Sequence, residues 1–161
     1  MIVLVMGVSG SGKTTIGQAL AAALAWPFFD ADDFHDPASV EKMRRGEPLT
    51  DDDRAEWLAR LRHLMAERHA RHEDAVLACS ALSTVHRECL GLPHPGVRMV
   101  LLHGPEAVLR QRLQQRHDHF VRDQLLTSQL ALLEPPPSAI RVDIREDPAT
   151  IVAQVRAALG A

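Results

Sequence analysis

The chain is short of cysteine, of charge of one sign and of long apolar runs, and each shortage closes off a class of protein. Its 161 residues include two cysteines, Cys79 and Cys89. These have neither metal-ligand spacing nor the number for a disulfide framework, so a reducing compartment is expected. Lysine and arginine total 18 against 21 acidic residues, a formal net charge of −3, with both signs interspersed. Bulk charge therefore selects neither nucleic acid nor a membrane as partner. The opening run Met1-Ile2-Val3-Leu4-Val5-Met6 has no basic flank and stops at Gly7. That is too short for a signal peptide or a spanning helix, and the expected location is the cytoplasm. No internal repeat or low-complexity linker is visible, and residues 1–161 are expected to form a single domain. With 46% apolar residues, a chain of this length can bury a core.

What is present alternates between two periodicities. Ile2–Met6 is a continuous, partly β-branched apolar run ended by glycine, the pattern of a buried strand. Ile16, Leu20, Ala21 and Leu24 then recur at helical spacing until Pro27 closes the segment. A short strand is expected at Phe28–Asp30 and a brief helix at 39–45, stopped by Gly46 and Pro48. Thr50 or Asp51 caps a long helix with acidic residues in its first turn and a stripe of Trp57, Leu58, Leu61, Leu64 and Met65. Strands at 75–79, 98–102 and 140–144 follow, with helical sequence from Thr84 and Glu106 and a last helix carrying Ile151, Val152, Val155 and Leu159. The triple proline at 135–137 reads as a rigid connection. Strands alternating with helices imply an α/β fold of three layers, a parallel sheet wrapped on both sides.

Between the first strand and the first helix stands Gly7-Val8-Ser9-Gly10-Ser11-Gly12-Lys13-Thr14, followed by Thr15. This matches the phosphate-binding P-loop pattern, in the strand–helix context the pattern requires. Glycines let the backbone fold around an anion and aim successive N–H groups at it, and the helix adds its positive N-terminus. Gly7, Ser9, Gly10, Ser11, Gly12, Lys13, Thr14 and Thr15 are thus expected to bind ATP. Lys13 should reach the β- and γ-phosphates, and the Thr14 hydroxyl should ligate Mg2+. The motif specifies a nucleotide and leaves the acceptor open.

The second strand ends in Asp30-Ala31-Asp32-Asp33-Phe34-His35. Carboxylates there fall on the side of an open α/β sheet where ligands bind, and a hydroxyl acceptor needs one to take its proton. The same residues read equally as a solvated acidic turn capping a helix.

Larger blocks carry a resemblance. Asp32-Asp33-Phe34-His35, Lys42-Met43, Gly46-Glu47-Pro48-Leu49-Thr50-Asp51-Asp52-Asp53-Arg54 and Trp57-Leu58 resemble the signature of gluconokinases. Cys79-Ser80-Ala81-Leu82 with Arg87 is similar to that family's third-strand motif. Arg116, His119-Phe120, Leu125-Leu126, Ser128-Gln129 and Leu133-Glu134-Pro135-Pro136 resemble its lid and following helix. The resemblance implies a P-loop kinase domain of the nucleoside-monophosphate-kinase type, with a five-stranded parallel sheet and a mobile lid at about 116–124. It implies phosphorylation of D-gluconate at its 6-hydroxyl by ATP with Mg2+, and it is compatible with a homodimer. Asp32 would orient or deprotonate the hydroxyl, and Asp30 would stand in the outer shell of Mg2+. Arg54 would bind the substrate carboxylate bidentately; alone, it reads also as a first-turn surface arginine. His35, Ser80 and Arg87 would line the substrate. Arg112 and Arg116 would close on ATP, Arg116 at the transferring phosphoryl group, where positive charge matters most. His119 would contact substrate or pack the lid.

Some residues depart from the family pattern. Ser83 stands where most relatives carry lysine, and His86 where a tyrosine usually precedes the arginine. Ser39 replaces a frequent asparagine, and Ala55-Glu56 replace a proline next to the tryptophan. Losing the lysine removes a cation beside the acceptor, which His86 could supply in part when protonated, near or below pH ~6.5. Arg110, and the His63, His69 and His72 group among arginines, read as solvated helix faces, and Cys79 as a packed thiol. The Asp30-x-Asp32 pair and the lid arginines are shared with shikimate-type kinases, whereas His35, Lys42-Met43 and Pro48-Leu49-Thr50 favour gluconate. A nucleotide-dependent sensor without turnover is the remaining reading, against which stand the phosphate loop, the acidic pair and the lid arginines.

Overall fold

The computed structural model describes residues 1–45, 47, 49–115 and 119–161, giving only the course of the backbone for 119–124. Its centre is β1 (Ile2–Met6), buried at every position. Such a strand is apolar without alternation because both of its faces are covered. The alternation lies in what each face meets. Val3 and Val5 pack with Ile16 and Leu20 of α1 (Lys13–Leu24) and with Ile151 and Val155 of α7 (Pro148–Leu159). Ile2, Leu4 and Met6 pack with Leu58, Leu61 and Met65 of α3 (Asp51–Ala70). Period-two geometry thus divides the interior into two cores, one on each side of the sheet.

The remaining strands are β2 (Phe28–Asp30), β3 (Ala75–Ala78), β4 (Val97–His103) and β5 (Ile140–Asp143). The five strands lie in the order β2-β3-β1-β4-β5, and every pairing is parallel. Ile2 stands opposite both Ala75 and Val97, so the C-terminal ends of the three central strands come out together. The other helices are α2 (Pro37–Arg44), α4 (Thr84–Cys89), α5 (Glu106–Gln114) and α6 (His119–Leu132). The expected three-layer α/β architecture with five parallel strands is the one observed.

Differences are local and have local causes. The acidic run after β2 is a 3-10 turn, Ala31–Phe34, because an Asp30 carboxylate oxygen accepts the Asp32 N–H at 3.0 Å. Helix α2 starts at Pro37 instead of 39, since Asp36 caps it by accepting the Ser39 N–H at 2.7 Å. Gly46 and Pro48, expected to stop it, lie outside the described residues, as do Arg116 and the side chains of His119 and Phe120 in the expected lid. Helix α3 opens with a capping box: Asp53 N–H donates to Thr50 Oγ1 at 3.1 Å, and Thr50 N–H to the Asp53 carboxylate at 2.9 Å. Lys42 Nζ reaches the same carboxylate at 2.8 Å and, with the Thr50 bonds, holds the Asp53 carboxyl down at about 2. The end of α2 and the head of α3 are therefore tied together. Among the described residues no helix is long and apolar enough to cross a membrane.

Leu61 joins α3 to the sheet with no exposed surface. Leu61→Ala is expected to cost about 2–5 kcal/mol by lost burial plus a cavity, read as a lower urea midpoint with an unchanged slope.

Candidate active site

The loop between β1 and α1 wraps a small volume above the central strands. Gly7 has φ +151, and a Cβ there would lie 2.7 Å from Ser11 Oγ and 2.8 Å from the Leu102 carbonyl oxygen. Gly10, at φ +81, sits over α5, where a Cβ would come within 3.1 Å of Leu113 and 3.3 Å of the Leu109 carbonyl oxygen. The first glycine is required by close approach, and the second by its left-handed φ, in tight contact with α5. Ser11 is 1% exposed and bonds through its backbone, N–H to the Val8 carbonyl at 3.2 Å. Lys13 Nζ folds back onto that same carbonyl at 3.1 Å. Ser9 N–H donates to Gln129 Oε1 at 2.6 Å, from a helix 120 residues further along.

Thr14 Oγ1 donates to Asp30 Oδ2 at 2.7 Å, which brings the end of β2 against the first turn of α1. Asp32 projects into the open mouth with 88% of its side chain exposed. The surrounding protein nevertheless desolvates it, and with the Asp30 charge nearby its carboxyl is held above the ordinary carboxylate range, against the pull of His35 and Lys13. His35 Nε2 stands 4.0 Å from Asp32 Oδ1. Its ring stacks on Trp57, centroids 4.6 Å apart and 12° from parallel, and Trp57 Nε1–H anchors to the Ala31 carbonyl at 2.7 Å. Burial pushes the His35 pKa down despite Asp32 and Asp36. Arg54 Nη2 donates to the Leu49 carbonyl at 3.2 Å and approaches Asp51 at 3.8 Å, while its Nε is buried with no hydrogen-bond partner among the described residues.

Ser80 follows β3 and is half-buried. Arg87 departs from the expectation of a substrate ligand. It is 7% exposed and donates through Nη1 to the Ala81 and Leu82 carbonyls, each at 2.9 Å, and through Nη2 to Thr84 Oγ1 at 3.1 Å. Its role in this arrangement is to hold the β3–α4 loop, which Glu134 braces from outside by accepting the Thr84 N–H at 2.6 Å. The readings of Ser83 and His86 also change. Ser83 Oγ caps α4 by accepting the His86 N–H at 3.2 Å. Burial lowers the His86 pKa, and the Arg54 and Arg87 charges push it the same way. Its ring therefore stays neutral to lower pH than an ordinary histidine, which weakens it as a source of positive charge.

On the other flank, Arg112 Nη2 donates to the Ile144 carbonyl at 2.5 Å. A cleft of about 430 Å³ opens there, walled by Gly12, Thr15, Arg112, Ile144, Pro148 and Ile151. It continues from the phosphate loop and has the apolar walls a nucleoside base needs. Of the residues expected at the site, the structure brings Lys13, Thr14, Asp30, Asp32 and His35 to one mouth, with Arg54 at the head of α3. Arg116 and the His119 side chain lie outside the described residues. Sequence reasoning gave no role to Gln129 and none to the cleft walls Ile144 and Pro148. Nothing in local periodicity marks them, because each meets the loop from far along the chain. Cys79 is the packed thiol expected, its pKa pushed up to about 12 by burial.

The chain matches the shikimate kinase family model over residues 9–142. Among curated proteins it is 43% identical to the gluconokinase of Gluconobacter oxydans, over 94% of this chain and 87% of that one. It is 38% identical to the thermosensitive gluconokinase of Escherichia coli, over 97% of this chain and 86% of the other. Among solved structures, a gluconokinase from Sinorhizobium meliloti superposes with a TM-score of 0.82 at 42% identity, covering 98% of this chain and 90% of that one. A P-loop cradle, an acidic strand end and likeness at this level along nearly the whole chain meet in one conclusion: the chain belongs to the gluconokinase family, on the shikimate-kinase-like fold.

Proposed function

We propose that the protein transfers the γ-phosphoryl group of ATP to the 6-hydroxyl of D-gluconate. The observation that supports this best is the convergence of Lys13, Thr14, Asp30 and Asp32 where β1 and β2 end. Thr14 and Asp30 are hydrogen-bonded, and Asp32 lies within electrostatic reach of both Lys13 and Asp30. In this reading the base of ATP enters the cleft beside Arg112 and Pro148, and the phosphates lie on the loop N–H groups. Lys13 keeps one ammonium hydrogen on the Val8 carbonyl and turns the others to the β- and γ-phosphates, neutralising the charge between them. Thr14 and Asp30 present hard oxygen donors side by side, a set that fits Mg2+, with Thr14 as direct ligand and Asp30 acting through water. When bound, the ion screens charge on the phosphates.

Gluconate then lies with its hydroxyl at Asp32 and its carboxylate at the exposed edge of the Arg54 guanidinium. The acceptor oxygen forms its bond to γ-phosphorus as the bond to the β–γ bridging oxygen breaks. The hydroxyl proton passes to Asp32, and ADP leaves. Arg116 and His119 are assigned to the closing lid, over ATP and substrate respectively. Both cysteines are free thiols, which suits a reaction in the reducing cytoplasm.

A coupled assay of ADP release across gluconate, shikimate and nucleoside monophosphates tests the assignment. Turnover should be confined to gluconate, and preference for shikimate would move the enzyme to the other branch of its fold. Lys13→Ala should lower kcat by orders of magnitude, on the order of 10²–10³-fold, with the fold retained by circular dichroism.

Two further variants separate the acceptor roles. Asp32→Asn should lower kcat chiefly, whereas Arg54→Ala should raise the KM for gluconate and leave that for ATP nearly unchanged. A raised Asp32 pKa means that the base is lost at a higher pH than usual as acid is added. The wild-type kcat should therefore fall on the acid side from above the ordinary carboxylate range. An acid limb at or below the ordinary range, or one that persists in Asp32→Asn, would remove Asp32 from that role.

A further inference from the structure

The peptide group joining Val8 to Ser9 is held from both ends. Its carbonyl accepts Lys13 Nζ at 3.1 Å and the Ser11 N–H at 3.2 Å. Its N–H donates to Gln129 Oε1 at 2.6 Å. An amide N–H can only donate, so the carboxamide oxygen is the atom that faces it. Because the peptide is planar, fixing the direction of the N–H also fixes the carbonyl on the opposite side. Gln129 therefore acts on the point where the Lys13 ammonium rests, although it is remote from Lys13 in sequence.

The strut has a firm base. Leu126, one helical turn before Gln129, has no exposed surface, and Leu130 and Leu133 pack against the same core. Residues three apart share a helix face, so Gln129 emerges beside the buried Leu126. Helix α6 is joined to α5 by a hydrogen bond from Arg110 Nη2 to Thr127 Oγ1 at 3.0 Å. Gly10 of the loop in turn seats on Leu109 and Leu113 of α5. The phosphate loop is thus gripped by both helices that flank residues 116–118.

We propose that Gln129 is a positioning residue for phosphoryl transfer, holding the Val8–Ser9 peptide in the orientation that presents Lys13 to the transferring group. This rests on the kinase reading above and adds a residue to it. Lys13 assists only if its ammonium meets the charge that develops in the transition state, and displacement of such a group lowers rate steeply. Ground-state binding of ATP depends on many loop N–H groups and should be affected less. The signature is a fall in kcat that exceeds any change in KM.

The test compares Gln129→Met, which keeps length and bulk but removes the oxygen acceptor, with Gln129→Glu, which keeps an acceptor. In Gln129→Met, kcat should fall about tenfold or more while the KM values for ATP and gluconate move less than about threefold. In Gln129→Glu, kcat should lie closer to wild type, with a raised KM for ATP because a carboxylate is added near the phosphates. The Ser9 amide proton, followed by NMR without nucleotide, should resonate downfield in wild type and Gln129→Glu and move upfield in Gln129→Met. Wild-type kcat in Gln129→Met, an unmoved Ser9 resonance, or a fall in kcat and Tm matched by equal rises in both KM values would overturn the proposal. Should Gln129→Met fail to fold, hydrogen exchange in the wild type decides: a protected Ser9 amide supports the strut and a rapidly exchanging one refutes it. The amide readouts need no turnover, so the strut is judged separately from the gluconate reading, which fails if the wild type does not phosphorylate gluconate.

Discussion

Backbone N–H groups that converge on one point repel one another and have few partners of their own until an anion arrives. The loop from Gly7 to Thr14 must be kept in that unfavourable arrangement by what surrounds it, and much of the molecule is placed to do so. From below, β1 delivers the loop from the centre of the sheet. Leu109 and Leu113 support Gly10 at the side, and Gln129 takes the Ser9 N–H from across the cleft. The loop's own carbonyl at Val8 steadies Lys13. Glycine is needed at position 7 because neighbouring atoms leave no room for a side chain, and at position 10 for its positive φ against a closely packed α5.

The acceptor side rests on a different device. Asp32 is exposed, so its position comes from the turn that carries it, and that turn is fixed by Trp57. The indole bonds the Ala31 carbonyl, supports the His35 ring and belongs to α3, whose apolar face forms the second core. Helix α3 carries Arg54 too, and its capping box and the Lys42–Asp53 pair set where that arginine begins. One helix thus sets the distance between the Asp32 carboxylate and the Arg54 guanidinium. Preorganisation of this kind limits the ordering left for the substrate to induce.

Much of this was legible in the residues, and the rest was hidden for a physical reason. β1, the phosphate loop, the cap at Thr50 and the buried positions Leu58, Leu61 and Met65 are local patterns, and the structure reproduces them. The acidic run after β2 reads equally as a ligand-binding strand end and as a turn. Its 3-10 form at Ala31–Phe34 was hidden because the Asp30 bond that makes it competes with other uses of a short acidic run. Arg87 was expected to face substrate, but no periodicity shows that two carbonyls of its own preceding loop lie within its reach. Ser83, read from its type as the lack of a cation, also caps α4, a bond whose partner three residues on no composition argument singles out. Gln129 meets Ser9 across 120 residues, a pairing that only the closed tertiary structure creates.

The position of β1 also bears on how the chain is made. Its neighbours in the sheet are β3 and β4, so residues 2–6 cannot be paired on both edges until residue 101 has left the ribosome. Until residue 78 emerges this apolar strand has neither neighbour, and until residue 101 it has one, the condition under which nascent proteins associate wrongly or recruit chaperones. Parallel pairing over such separations is slow to form, because the intervening chain must be ordered first. The strand that centres the finished enzyme is therefore the one left longest without its partners during translation.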